Sequence, residues 1–168
     1  MKKFLLFTMI LVSSLMAAFV PGDYSEQRSI AGLAYYCYAN DTALAVDSSR
    51  IVGFTMPETG IYMLDVDIVA SNLARIQIFE GCTLAGATDT LTVFNNVRTW
   101  TSVPIIYPRY RPTVSYAGTE MLEYFTGGSV LQRKIVLLLE PGEDYYVKVT
   151  SMATNTDVSI ILRFYRRD

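Results

Sequence analysis

The chain has 168 residues, of which 51% are hydrophobic, 12% aromatic and 18% charged, with a net charge of −2 and no histidine. That length supports one real core, and the apolar content excludes a disordered chain. The mild negative charge argues against nucleic acid as a partner, and the lack of histidine removes Ser-His-Asp and Cys-His catalysis and His-ligated zinc.

Met1 to Val20 reads MKKFLLFTMILVSSLMAAFV. Two lysines precede an apolar run that ends in small residues. This is the layout of a secretory signal peptide, and the run is short for a transmembrane helix. Residues 21–29 form a polar linker, and residues 30–168 read as a single domain.

From Ile30 onward the apolar residues recur with a period of two, and no segment carries a helical stripe over three turns. The predicted strands, in chain order, are Gly32–Ala39, Ser49–Thr55, Ile61–Ala70, Leu73–Glu80, Thr90–Phe94, Arg98–Tyr107, Thr119–Phe125, Arg133–Leu139, Tyr145–Thr150 and Asp157–Tyr165. Turn signals separate them. In Ile61–Ala70, Tyr62, Leu64, Val66 and Ile68 share one face, and Asp65 and Asp67 the other. Ser71-Asn72 has the length of a two-residue hairpin between its flanking strands, and Glu140-Pro-Gly-Glu-Asp144 reads as a hairpin turn between the next such pair. The fold class is all-β: an antiparallel β-sandwich or jelly roll. Parallel βαβ architecture is excluded, because no crossover helix fits between the strands.

Candidate chemistry is sparse. Asp65 and Asp67 suit a calcium ligand pair or half of a glycosidase site, but strand alternation alone produces a solvated acidic face of this kind. Glu143-Asp144 beside Gly142 reads as a polar turn. Cys37 and Cys82 are compatible with one disulfide if the domain is exported, or with two buried thiols. With no histidine, two thiols are too few to ligate zinc, and no metal or cofactor is expected. No serine stands in a nucleophile-elbow sequence, and no glycine loop suits a phosphate. The expectation is a protein that is not an enzyme.

The segment Tyr107-Pro-Arg-Tyr-Arg-Pro112 mixes arginine, tyrosine and proline, and suits sugar stacking or a clasp on a neighbouring subunit's carboxylates, or equally an extended connection stiffened by Pro108 and Pro112 with Arg109 and Arg111 in water. Trp100, Tyr107, Arg109, Tyr110, Arg111 and Tyr116 are the expected interface residues, since Trp, Tyr and Arg anchor protein contacts. For Trp100, the single tryptophan, burial in the core is the competing expectation.

An ordered set of short motifs runs through the chain. It opens with Gly32-Leu-Ala-Tyr-Tyr36 and Thr55-Met-Pro57, then Phe79-Glu-Gly-Cys-Thr83 with Leu84-Ala-Gly86. Phe94-Asn-Asn-Val-Arg98, Pro112-Thr-Val114 and Gly118-Thr119 follow, and Leu139-Glu-Pro-Gly142, Tyr145-Tyr146 and Phe164-Tyr165 close it. In order and spacing this resembles small virion proteins of tailed bacteriophages, the capsid decoration or head-associated proteins. The Asn-Asn-Val-Arg loop and the Tyr-Arg-Arg-Asp168 tail depart from that pattern. The resemblance implies a non-enzymatic virion protein, capsid-decorating or cement-like. Its partners are then the major capsid protein or other virion proteins and copies of itself, with a trimer expected. The alternative is a secreted or membrane-tethered jelly roll that binds a ligand or carbohydrate, which a functional leader favours.

Overall fold

The computed structural model describes residues 34–86, 89–95, 106–126 and 135–167. The expected leader and linker, and Trp100, lie outside the described residues. All regular structure in the described residues is β. The strands are β1 (Ala34–Leu44), β2 (Ser49–Thr55), β3 (Tyr62–Ala70), β4 (Ala74–Glu80), β5 (Thr83–Ala85), β6 (Asp89–Thr90), β7 (Phe94–Asn95), β8 (Arg109–Tyr110), β9 (Thr113–Tyr116), β10 (Thr119–Thr126), β11 (Ile135–Leu139), β12 (Asp144–Ser151) and β13 (Thr156–Arg166). No helix among the described residues is long and apolar enough to cross a membrane.

One sheet runs β11-β3-β13-β1-β7 and the other β10-β4-β12-β2-β8-β6, with every pairing antiparallel. The eight principal strands are β1, β2, β3, β4, β10, β11, β12 and β13. Counted in chain order, the first sheet holds the first, eighth, third and sixth, and the second sheet the second, seventh, fourth and fifth. Of the connections between successive principal strands, only β4 to β10 stays within a sheet. This is the jelly-roll arrangement, two four-stranded sheets joined by repeated crossings. The expected all-β sandwich is therefore present, in its jelly-roll form.

Both expected hairpins are corrected by this topology. Ser71-Asn72 links β3 to β4, and Glu140–Asp144 links β11 to β12, but in each case the two strands lie in opposite sheets. A short link serves equally well to turn a strand back on itself or to arch over the edge of a sandwich. Which one occurs depends on where the apolar face must go. The inward faces of β3 and β4 meet across the core, so the chain crosses instead of pairing.

That core is built from the period-two alternation. Tyr62, Leu64, Val66 and Ile68 of β3 and Val158, Ile160, Leu162 and Phe164 of β13 project inward from the first sheet. Ile76 and Ile78 of β4 and Tyr145, Val147 and Val149 of β12 meet them from the second. Phe54 ties the layers together, stacked on Tyr145 at 5.7 Å and edge-on to Phe164 at 5.1 Å. The Tyr145 hydroxyl accepts the Glu140 amide at 2.8 Å, which fixes the arch between β11 and β12.

Sequence periodicity missed a second layer. Between β4 and β10 the chain leaves the sheet and forms the separate pair β5–β9. This flap lies on the outer face of the second sheet. Cys82, Leu84 and Val114 pack there on Ile51, Phe79 and Tyr146, and the Phe79 and Tyr146 rings stack at 4.5 Å. The close approach requires Gly53, where a Cβ would stand 2.8 Å from a Leu84 methyl and 3.0 Å from Pro112.

Candidate interaction surface

The expected interface residues divide into two groups. Tyr107 and Tyr116 project into solvent, 59% and 61% exposed. Arg109, Tyr110 and Arg111 instead serve the chain's own fold. β8 pairs with β2 on one side and β6 on the other, and this fixes the backbone of Arg109 and Tyr110. Arg109 Nη1 donates to the Leu84 carbonyl at 3.4 Å. Arg111 has φ of 52° and its amide donates to the Ile51 carbonyl at 3.0 Å. That conformation turns its side chain back towards β1.

The acceptor there is Asp41 Oδ2. It receives the Tyr110 hydroxyl at 2.9 Å, Arg111 Nη2 at 2.8 Å and Arg50 Nε. The Arg111 guanidinium also sits 4.9 Å from the centre of the Tyr110 ring. Burial, and after it the nearby Arg111 charge, lowers the pKa of Arg50. The arginine-tyrosine segment thus clasps a carboxylate, as its composition suggests, but the carboxylate belongs to the same chain. Asp41 lies on β1 of the first sheet, and its donors lie on or beside β2 and β8 of the second. The cluster is a clamp across the open side of the sandwich.

One further expectation is corrected, and for the cysteines one of the two open readings is met. Asp65 and Asp67 do sit on the outer side of β3, yet each is only 3% exposed, so they do not form a solvated face. β3 lies inside its sheet, between β11 and β13, and Arg163 of β13 reaches over it to put Nη1 3.0 Å from Asp67 Oδ2. Cys37 and Cys82 are both free and buried. Cys37 belongs to the central core and Cys82 to the flap cluster, so the layer of the second sheet separates them. Burial pushes the Cys37 thiol up to about 12 and is the largest cause raising Cys82 to about 11. Neither is a reactive thiolate near neutral pH. Among the described residues no group of three or more Cys, Asp or Glu is placed to hold a metal ion.

The outer face of the first sheet carries features that were not among the expected interface residues. Tyr36 and Tyr38 project from alternate positions of β1, and Phe94 of the neighbouring β7 stacks against both, at 5.3 and 6.1 Å. On the other side of β1, cross-strand partners Arg163, Ile161 and Ser159 stand opposite Tyr36, Tyr38 and Asn40. These six β1 and β13 residues line a depression of about 420 Å³. At the far end of the same sheet, β11 exposes Val136 and Leu138, 52% and 55% accessible. The period-two pattern shows that these side chains share an outer face, but not which strands adjoin, so it could not reveal the depression.

No protein-family model and no curated protein matches the chain. Among solved structures it is similar to the infectious bursal disease virus VP2 subviral particle at 10% identity and a TM-score of 0.14, over 79% of this chain and 41% of that one. The chain therefore spans less than half the length of that viral protein. A likeness at this level carries no argument, so the fold rests on strand order and register.

Proposed function

We propose that the chain is a non-enzymatic virion protein, a decoration- or cement-like jelly roll. It acts by contact with a major capsid protein or another virion protein, and with copies of itself. The observation that carries this reading is β11, an edge strand among the described residues. Sheet edges are ordinarily blunted by charge, proline, a bulge or extreme shortness. The edge strand β10 has Glu120 and Glu123 with an irregularity between Glu120 and Leu122, and the edge strands β6 and β7 are two residues long. β11 reads Ile-Val-Leu-Leu-Leu, with no charge, and turns Val136 and Leu138 outward. Such an edge suits burial against another protein.

Other features agree. The exposed tyrosines at positions 107 and 116 are of the type that anchors interfaces. The ordered resemblance to phage head proteins points to the same setting. A patch repeated around a three-fold axis would multiply modest contacts, so a trimer is the favoured assembly.

The reading is tested by co-sedimentation of the chain with virions that lack it. The wild type is expected to attach. Val136→Lys combined with Leu138→Lys is expected to abolish attachment while leaving the melting temperature within a few degrees. Attachment unaffected by that double change contradicts the reading.

A further inference from the structure

We infer that the depression between β1 and β13 is a binding site for an uncharged sugar ring of a glycan. This goes beyond the structural role proposed above and does not depend on it. The site begins with ring placement. Phe94 occupies the β7 side of the two tyrosines, nearly parallel to both, at 24° to Tyr36 and 8° to Tyr38. Its stacking fixes their planes, so their opposite faces look over β13. Two aromatic faces held in place, without a further entropy cost on binding, are what an apolar sugar face needs.

The remaining wall supplies hydrogen-bonding groups in order along the strands. Asn40 and Ser159 are paired at one end, Ile161 lies between, and Arg163 closes the other. An amide and a hydroxyl both donate and accept, which matches the alternating capacity of sugar hydroxyls. The volume of about 420 Å³ falls within the span of small-ligand sites, and a single pocket of this size suits one or two rings, not a folded protein partner.

Charge decides the class of sugar. Arg163 would by itself favour an acidic glycan. Its guanidinium, however, already faces Asp67 at 3.0 Å, and Asp65 is its direct partner across the β13–β3 ladder. Paired with the Asp67 carboxylate, the arginine offers directed N–H groups with little net attraction for anions. A neutral hexose or N-acetylhexosamine fits that balance, and a sialic or uronic acid does not.

The test is an array of neutral hexose and N-acetylhexosamine oligosaccharides, with sialylated and uronic-acid glycans alongside, probed with the full chain. The expected result is binding to at least one neutral glycan. Affinity by calorimetry is expected to fall about tenfold or more in Tyr38→Ala. It is expected to hold in Tyr38→Phe, which keeps the ring, and in Tyr116→Ala, which lies on the distant flap. Tyr38 is 49% exposed, so the alanine variant is expected to fold, as its thermal melt will show. Failure to bind any neutral glycan overturns the inference, as does a preference for acidic glycans or binding indifferent to Tyr38→Ala. Absence of the chain from virions would defeat the structural role and leave this result standing.

Discussion

Arg163 Nη1 and Asp67 Oδ2 stand 3.0 Å apart, with the arginine side chain 34% exposed and the aspartate side chain 4% exposed. The contact is diagonal, because the ladder partner of Arg163 is Asp65 and that of Asp67 is Ile161. One end of the pair is wet and the other dry, so removing the wet end leaves the dry carboxylate with one partner fewer. Arg163→Met is expected to lower stability by about 2 kcal/mol, the scale of a hydrogen bond to a charged group. Urea unfolding measures it. A loss below about 0.5 kcal/mol, the level of an ordinary surface change, contradicts the assignment.

Asp41 gathers Arg50, Tyr110 and Arg111 on one oxygen, and so ties the two sheets together on one side. Asp41→Ala leaves two guanidinium groups facing each other without their common acceptor. The expected cost is about 2–3 kcal/mol, and Tyr110→Phe is expected to cost about 1 kcal/mol. A double-mutant cycle between Asp41→Ala and Tyr110→Phe is expected to show coupling of about 0.5 kcal/mol or more. Strict additivity contradicts the clamp.

The two cysteines predict behaviour at high pH. Their folded-state values stand near 12 for Cys37 and 11 for Cys82, against 9.0 in the absence of burial. Tyr145 and Tyr146 are raised in the same direction, chiefly by burial. A raised value means that the unfolded chain ionises first. The stabilisation is complete below about pH 9 and is lost as pH climbs from there towards 11 and 12. Urea midpoints are expected to be flat from pH 7 to 8.5 and to fall steadily by pH 10.5. Because the thiols are unbridged, dithiothreitol is expected to leave the melting temperature unchanged. A shift with reductant contradicts the free-thiol assignment.

Gly118 and Gly142 both have positive φ, 72° and 79°, but their surroundings differ. A Cβ on Gly118 would lie 2.1 Å from the Glu80 carbonyl oxygen, where the chain re-enters the sheet at β10. At Gly142 nothing lies within 4 Å. Gly142→Ala is expected to cost about 1 kcal/mol, the backbone term alone. Gly118→Ala adds a clash with rigid backbone and is expected to cost about 3 kcal/mol or more. Equal costs by thermal unfolding contradict the close approach.

The strands were legible because alternation writes each face into the sequence. Ser49–Thr55 matches β2 residue for residue, and Ile61–Ala70 and Leu73–Glu80 each differ from β3 and β4 by one residue. Sheet membership was not legible. Val158, Ile160, Leu162 and Phe164 report an inner face, but the same pattern serves either side of a sandwich. Hence Ser71-Asn72 read as a hairpin when it is an arch. The flap strands Thr83–Ala85 and Thr113–Tyr116 were not among the predicted strands, since three or four residues are too short to show a period. The predicted strand Thr90–Phe94 is split, with β6 in one sheet and β7 in the other. Most of the predicted strand Arg98–Tyr107 lies outside the described residues. At the surface, composition suggested a neighbouring subunit's carboxylate for the arginine-tyrosine segment, whereas Arg111 meets Asp41 of its own chain. The buried state of Asp65 and Asp67 was hidden for the same reason, because it depends on neighbours brought in from β13.

Density for this chain in virions tests the central claim most directly. Cryo-electron microscopy of purified particles from the system that encodes it is expected to show a two-sheet domain of this topology seated at subunit junctions. The β11 edge should face a neighbouring protein. Particles that assemble fully, with no density and no peptide of this chain, would contradict the account.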